Sequence, residues 1–541
     1  MITGAEAMVK CLEAEGITKI FGYPGVAIAP FYDGLYGSKK IEHILVRRED
    51  AAGHAASGYA RISRKPAVCC TTSGPGATNL LTALATAYSD SIPMIAITGQ
   101  VASDLLGRDV FQEADITGAA ESFVKYSYLV KDANDIPRIF KEAFFIASTG
   151  RKGPVLIDVP VDIQQQKLKN KFEYPAQVDI RGYKPKTKPN GQQMKKVITA
   201  IKRSRRPLVC VGGGVILGNA EKAVRTFCKT FSIPVVSTMM GVGAIQSSDP
   251  LYFGMLGNNG KPYANLAVER SDLLIIVGAR LADRAIPRPK YIEQAVSVIH
   301  IDIDSAEIGK NLGPMIPLVG DAKNVFTELA KQDIAVDTSD WLNALAEIRK
   351  SIVDHRVFSD ELIDPNELVS RLSGRMEDDA IYVADVGQNQ LWSADNYVMK
   401  NGRFMTTGGM GTMGYSIPAA MGAKMAAPNK QVVAVMGDGA FQMSMQELAT
   451  IKKNNVPLKI LIVRNRVLGL VREYQLTKFR KRYIGVDIDG YPNFDGIAKA
   501  YDMPYFEVTE MKKLDSVLAE FIACDEACIM VAEVHGEDVT K

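Results

Sequence analysis

No dense basic block interrupts this sequence of 541 residues, in which 64 Lys and Arg stand against 61 Asp and Glu for a net charge of +3. That balance gives no footing for nucleic acid or an anionic membrane surface. No apolar run reaches the roughly 20 residues that span a bilayer. Histidine is scarce, five in all and no two adjacent. The seven cysteines follow neither metal-ligand spacing nor a secreted disulfide framework. Cys69 and Cys70 sit in an apparent buried strand, and Cys524 and Cys528, four apart on a helix-like segment, read as core thiols. A reducing cytoplasm suits them. The first residues, MITGAEAMVKCLEAEG, read as an amphipathic helix opened by a capping box of Thr3 and Glu6 rather than as a signal peptide. Low-complexity segments and short-period repeats are also missing.

What is present is the composition of a soluble globular protein, 47% hydrophobic and 23% charged, long enough for about three domains. Buried strands alternate with helical segments in three blocks, which predicts α/β architecture, three doubly wound parallel-sheet domains. The first block, 1–165, has strands at Lys19–Phe21, Ala67–Thr71, Met94–Ile97 and Val155–Val159. The second, 190–335, has Pro207–Val211, Leu273–Val277 and Val298–Ile303. The third, 365–541, has Ile381–Ala384, Val432–Met436, Leu458–Val463 and Ile529–Val534. A Lys-, Pro- and Gln-rich stretch, QQQKLKNKFEYPAQVDIRGYKPKTKPNG, reads as a surface linker after the first block. A charged helical stretch from Trp341 to His355 leads into the third.

The densest chemical signal runs from Gly437 to Asn465. A buried strand ends at Gly437-Asp438-Gly439. A helix carrying Met443, Met445, Leu448 and Ile451 follows, and a second buried strand delivers Asn465, 27 residues after Asp438. Both polar residues thus stand at carboxyl ends of strands in one βαβ unit, where open α/β sheets bind ligands. A carboxylate and an amide oxygen are hard donors suited to Mg²⁺, which also takes diphosphate oxygens. Asp385-Val386-Gly387-Gln388-Asn389 follows another buried strand and offers backbone N–H groups to phosphate. The loop Gly408-Gly409-Met410-Gly411-Thr412-Met413-Gly414 enters a helix from Ile417 to Ala426, and reads either as a flexible turn or as backbone shaped around a flat ligand. In the first block Glu49 opens a small-residue helix, where a carboxylate either stabilises the helix dipole or touches a cofactor ring nitrogen. Thr71 to Asn79 is another strand–Gly–helix turn, and Phe111-Gln112-Glu113 lies in a later loop. The second block carries Gly212-Gly213-Gly214, Gly254 to Gly257 and Gly278-Ala279-Arg280 at strand ends, with Asp302 and Asp321 at later ones. One such turn is a weak dinucleotide signal; three in one block strengthen it.

In this order these residues resemble the acetohydroxyacid synthase (acetolactate synthase) family, catalytic subunit, over nearly the whole chain. The likeness is carried by FGYPG at 21–25, Glu49, TTSGPGATNL at 71–80, ITGQV at 97–101, FQEADITG at 111–118, GRKGPVLIDVP at 150–160, GGMGTMGYSIPAA at 408–420, GDGAFQMSMQEL at 437–448 and LGLVREYQ at 468–475. The spacing of Asp438 and Asn465 matches the diphosphate-anchoring motif of thiamine diphosphate (ThDP) enzymes. The resemblance implies a pyrimidine-binding first domain, a central FAD-binding-like domain and a diphosphate-binding third domain, with ThDP bent between the first domain of one subunit and the third of its partner. It implies decarboxylation of pyruvate and transfer of the two-carbon unit to a second 2-oxo acid, in branched-chain amino acid biosynthesis.

By the same resemblance Glu49 contacts the aminopyrimidine and favours its imino tautomer, so that the cofactor acts as its own base. Met413 props the thiazolium. Asp438, Asn465 and the backbone carbonyl of Val467 hold Mg²⁺. Pro24, Gly25, Pro75, Asn79, Gly387, Gln388, Gly411, Gly439 and Ala440 line ThDP, and Gly212, Gly213, Arg280, Asp302 and Asp321 line FAD. Phe111, Gln112, Arg280 and Tyr474 line the substrate channel. A homodimer or dimer of dimers and a small regulatory subunit are implied partners. An adjacent His pair, which pyruvate decarboxylase-type enzymes use to protonate their intermediate, is missing, and that fits carboligation. Some positions depart from the family: Tyr474 replaces a Trp, Val161 a Lys, Val26 a Gly and Arg464 an Asn; the flavin-side motif reads Arg280-Leu281-Ala282-Asp283-Arg284; and the chain stops soon after Val534, short of the family's C-terminal arm. These changes keep open a related carboligase with another acceptor, such as a ketosugar or an aldehyde. A non-enzymatic relative is disfavoured by intact Glu49, Asp438 and Asn465.

Overall fold

Three six-stranded sheets, parallel throughout, form the protein in a computed structural model that describes residues 1–286, 289–313, 315–352, 362–488, 490 and 492–540. The first sheet holds β1 (Lys19–Gly22), β2 (Glu42–Leu45), β3 (Ala67–Thr71), β4 (Met94–Gln100), β5 (Tyr126–Leu129) and β6 (Pro154–Pro160). The central sheet holds β7 (Pro207–Val211), β8 (Val235–Ser237), β9 (Tyr252–Met255), β10 (Leu273–Val277), β11 (Ser297–Asp302) and β12 (Ile316–Val319). The third holds β13 (Ile381–Ala384), β14 (Arg403–Met405), β15 (Val432–Gly437), β16 (Lys459–Arg464), β17 (Tyr505–Val508) and β18 (Cys528–Glu533). Helices cover both faces of each sheet, which is why the inner strands are near-continuous Val, Ile and Leu.

The strand orders carry the functional information. The first sheet runs β2-β1-β3-β4-β6-β5 and the third β14-β13-β15-β16-β18-β17, the same order within each block. The central sheet runs β12-β11-β10-β7-β8-β9. Renumbered within its block and read from β9, that is 3-2-1-4-5-6, the dinucleotide-binding order.

The inner faces of the first and third sheets share one hydrophobic core. Its centre is a crossing of helix Glu49–Ser63 with helix Ser416–Ala426. Their backbones touch. A Cβ on Gly58 would collide with the carbonyl of Ala419, and one on Gly422 with that of Ala55. The small-residue character of both helices is therefore a packing requirement.

Several expectations need correction. The helix after Asp438 is broken into Asp438–Ser444, a 3-10 turn Met445–Glu447 and Leu448–Lys453, and Met443 is exposed. Cys524 caps the helix Leu514–Ala523 and is only half-buried, while buried Cys528 begins β18. The linker stretch starts inside the first block: Gln164 is fully buried and its Nε2 donates to the carbonyls of Ala27 and Val159. Further on, Tyr174 and Tyr183 tie it down through Glu15 and Thr149. The helical stretch expected around Trp341 is borne out as helix Ser339–Ser351, which buries Trp341, Leu345 and Ile348 against the central sheet; His355 lies outside the described residues.

Candidate active site

Each sheet reverses its strand order next to its block's first strand, and there the carboxyl ends of two strands open a crevice. The reversals fall between β1 and β3, between β7 and β10, and between β13 and β15. The turns at Gly25, Gly74–Gly76, Gly212–Gly214, Gly278, Gly387 and Gly437–Gly439 lie at these places, while those at Gly254–Gly257 and Gly408–Gly414 stand at or after the ends of the edge strands β9 and β14.

At the first reversal β1 runs into Pro24 and Gly25, and β3 into Thr72. A Cβ on Gly25 would stand 2.5 Å from the Thr72 side chain, and one on Gly76 2.7 Å from Thr72 Cγ2 and 3.7 Å from Glu49 Oε1. Glu49 is the first residue of its helix, and its Oε2 accepts a 3.0 Å hydrogen bond from Asn79 Nδ2. Pro75 opens the short helix that ends at Asn79. Gly74, with φ of +56°, faces Gln112, itself at φ +59°. Gly25, Glu49, Pro75, Asn79 and Gln112 are thus brought together. Pro24 is exposed, and Phe111, beside Gln112, is 87% exposed. The Thr72 hydroxyl is buried without a hydrogen-bond partner among the described residues.

At the third reversal the register Gly437↔Val463 sets the ends of β15 and β16 side by side and so brings Asp438 and Asn465 to one edge. Asp438 is 1% exposed. Its carboxylate accepts from the backbone N–H of Gly439 at 3.0 Å and of Arg466 at 2.8 Å, and burial pushes it up from the ordinary carboxylate range. Asn465 Oδ1 accepts from Val467 N–H at 3.2 Å, while its Nδ2 donates to Gln388 Oε1 at 3.1 Å. Gly387, at φ +92°, and Gly411, at φ +67°, have open space where a side chain would stand. Met413 Cε lies 3.5 Å from the place of a Cβ on Gly439, flanked there by Leu468 and Ile488. Ala440 is buried one residue on. Among the described residues no group of three or more His, Cys, Asp or Glu gathers as a metal cage.

At the central reversal the glycines pack on each other. A Cβ on Gly212 would collide with the carbonyl of Gly278, and one on Gly213 would stand 3.1 Å from Met240 Cβ. Asp302 ends β11, where burial pushes it up to about 6. Asp321 caps the helix Ala322–Leu329 by accepting from Asn324 N–H at 2.9 Å. Arg280 follows β10. No hydrogen bond or ion pair among the described residues joins its guanidinium to Phe111, Gln112 or Tyr474. Tyr474 is 56% exposed on helix Gly469–Phe479, edge-on to Phe479.

The roles of four residues escaped sequence reading. Asp385, fully buried, accepts from Gly414 N–H at 3.1 Å and Ser416 N–H at 2.8 Å, and so pins the glycine-dense loop that carries Met413. Glu473 accepts from Gln388 Nε2 at 3.1 Å and from the Thr540 hydroxyl at 2.8 Å, so the chain's last residues close over Gln388. Thr72 is the third. Glu447, 0% exposed, crosses between the blocks: its carboxylate accepts from Arg47 N–H at 2.8 Å, two residues before Glu49, and from the Thr450 hydroxyl at 2.7 Å. Its place inside GDGAFQMSMQEL was the available signal.

The comparisons with known proteins agree with this layout. Models of thiamine pyrophosphate enzymes match in three parts, the N-terminal TPP binding domain at 2–119, the central domain at 194–329 and the C-terminal TPP binding domain at 385–532. The chain is 43% identical to the "Probable acetolactate synthase large subunit" of Methanocaldococcus jannaschii, across 97% of this chain and 91% of that protein. It is 41% identical to the acetolactate synthase of Mycobacterium bovis, across 99% and 88%, and 40% identical to the acetolactate synthase large subunit of Corynebacterium glutamicum, across 99% and 87%. The chain belongs to the acetolactate synthase family of thiamine pyrophosphate enzymes.

Proposed function

We propose that this protein is a ThDP- and Mg²⁺-dependent acetolactate synthase that decarboxylates pyruvate and joins the two-carbon unit to a second 2-oxo acid. The observation that carries the reading is the pair of switch-point half-sites, Glu49 with Asn79 on one and Asp438 with Asn465 on the other, in a chain of this family. When bound, ThDP supplies the nucleophilic carbon on which the two-carbon unit is taken up and passed on. Glu49 holds and moves a proton at the aminopyrimidine ring nitrogen. Gly25, Pro24, Pro75 and Asn79 seat that ring, with Thr72 as a further donor. Gly387, Gln388, Gly439 and Ala440 face the diphosphate. Asp438, Asn465 and the Val467 carbonyl hold Mg²⁺: a buried carboxylate fits a hard cation, and a two-side-chain donor set leaves room for diphosphate oxygens. Met413, on a loop fixed by Asp385, supports the thiazolium. Phe111, Gln112, Arg280 and Tyr474 address the 2-oxo acids.

The blocks 1–165, 190–335 and 365–541 act in this reading as pyrimidine, FAD-binding-like and diphosphate domains. FAD is supported by the 3-2-1-4-5-6 order of the central sheet and by Gly212, Gly213, Arg280, Asp302 and Asp321 at its strand ends. A homodimer is supported by exposed apolar side chains in both half-sites, Val26 and Phe111 in one, Met410, Val471 and Tyr474 in the other. The "large subunit" in the relatives' names supports a small regulatory partner. No described helix is long and apolar enough to cross a membrane, which is compatible with a cytoplasmic place. Product analysis tests the reading: purified protein with pyruvate, ThDP and Mg²⁺ is expected to release CO₂ and form acetolactate. Formation of acetaldehyde alone, or a requirement for a ketosugar or aldehyde acceptor, would overturn it.

A further inference from the structure

A cleft of about 410 Å³ lies where the three blocks meet, and it shares no residue with the three switch points. The first block supplies Arg61 and Arg64, from the far end of the helix that Glu49 opens. The central block supplies Lys222 and Arg225 on helix Glu221–Thr230, and the third Arg403 at the start of β14. Lys400 and Lys430 bring the cationic lining to seven, against one acid, Glu221.

Their pairing leaves charge over. Glu221 is shared by Arg64 at 3.0 Å and Arg403 at 3.3 Å. Arg61 pairs with Asp90 at 2.8 Å, yet its Nε is buried with no partner. Lys400 and Lys430 lean on Asp378 and Asp379 outside the lining. Lys222 and Arg225 have no ionic or hydrogen-bonded partner among the described residues. Even with every acid ion-paired to these cations counted, seven cations face four carboxylates, an excess of three. The side chains also feel each other: burial foremost, then the charges of Arg64 and Arg61, draws Arg403 down to about 10 although Glu221 opposes it.

We propose that this three-way cleft binds a small anion carrying a diphosphate or a comparable multiple negative charge. Guanidinium forks match phosphate oxygens in pairs, and the volume lies in the range of small-molecule sites, about 300–1,000 Å³. Lys222 and Arg225 are the free donors. Because all three blocks contribute, the occupied cleft clamps the central block to the other two. The site is independent of the carboligase reading.

The test is calorimetric titration with inorganic pyrophosphate, on protein saturated with ThDP, Mg²⁺ and FAD and at fixed free Mg²⁺. Wild type is expected to take up one pyrophosphate per chain and to melt at a higher temperature with it. The double variant Lys222→Ala/Arg225→Ala alters a solvent-facing helix edge and is expected to keep its unliganded melting temperature and its turnover of pyruvate. Its pyrophosphate affinity should fall about tenfold, as two partly exposed charge contacts imply. Absence of binding to wild type at millimolar pyrophosphate would overturn the proposal. So would equal affinity in wild type and variant, which would put the anion elsewhere.

Discussion

The two half-sites are built on sheets of the same strand order, yet their carboxylates live in different surroundings. Glu49 is partly accessible and addresses one amide, Asn79. Asp438 is almost wholly enclosed and meets only backbone N–H donors. A carboxylate left open on one side can exchange a proton with a ligand. One that is buried and held up in pKa is eased by a bound cation. One fold thus offers two chemistries, and the difference lies in the strand-end turn rather than in the sheet. The two are held in one body by the helix crossing at Gly58 and Gly422 and by the Glu447 carboxylate.

Replacing the open carboxylate is expected to have the largest effect. Glu49→Gln keeps the shape and the contact to Asn79 but cannot take up a proton. We expect kcat to fall by about 10²–10⁴-fold, the usual weight of a positioned acid–base group, with ThDP affinity little changed. Proton exchange at the thiazolium carbon, followed by NMR, checks it; exchange at the wild-type rate would remove Glu49 from this role.

The carboxylate that joins the halves comes next. Burial pushes Glu447 up to about 7 from 4.5. Between those values the unfolded chain has lost the proton while the native protein keeps it. Stability therefore falls as pH rises from about 4.5 to 7, by about 3 kcal/mol for this group. Glu447→Gln carries no proton to lose and retains an acceptor for Arg47 N–H. Its denaturation midpoint should show a shallower decline over that interval. Parallel pH profiles for variant and wild type would show that Glu447 is ionised in the native protein.

For the enclosed carboxylate the expected loss is in affinity. Asp438→Ala leaves the N–H groups of Gly439 and Arg466 without their acceptor and, in the proposed site, takes an anionic donor from Mg²⁺. Even outer-shell partners of a metal cost about 10–100-fold when removed, so ThDP should bind at least that much more weakly in the presence of Mg²⁺. Titration calorimetry reads this, and an unchanged ThDP affinity contradicts the assignment. A kcat loss in Glu49→Gln beside an affinity loss in Asp438→Ala is the pattern the two surroundings require.

What the sequence revealed follows the same physics. Inner strands such as Ala67–Thr71, Pro207–Val211 and Leu273–Val277 were legible to the residue, because burial on both faces demands an unbroken apolar run. Four of the six edge strands, β2, β5, β12 and β17, are half-exposed and mixed in composition, and they carried no such signal. Buried β8 escaped because it is three residues long. The switch-point turns were visible through their glycines, since Gly25, Gly76 and Gly212 stand where no side chain fits. The common strand order of the first and third sheets was invisible: topology is set by how crossovers pack, and strand sequences tolerate wide apolar exchange. Asp385 and Glu447 act by hydrogen-bonding backbone far away in sequence, 29 and 400 residues off. A motif can flag such a residue, as GDGAFQMSMQEL does Glu447, but no local pattern encodes its distant partner. The tail over Gln388 is of the same kind.

The smallest expected effect concerns Tyr474, at the rim of the enclosed half. Its helix, Gly469–Phe479, buries none of its residues completely, so the side chain is free to face an acceptor. Trp, the family's residue here by resemblance, is larger and wholly apolar on its face. Tyr offers less contact to the extra methylene that separates 2-oxobutyrate from pyruvate. One methylene in a pocket is worth roughly 1–3 kcal/mol when fully enclosed, or about 10–200-fold in relative kcat/KM. A half-exposed residue commands only part of that. Tyr474→Trp is therefore expected to raise the ratio of acetohydroxybutyrate to acetolactate by about tenfold or less, in an assay where both acceptors compete. The overall rate of pyruvate consumption should hardly move, because neither Glu49 nor Asp438 is touched. An unchanged product ratio would mean that acceptor choice is made elsewhere, with Arg280 and Phe111 as the next positions to exchange.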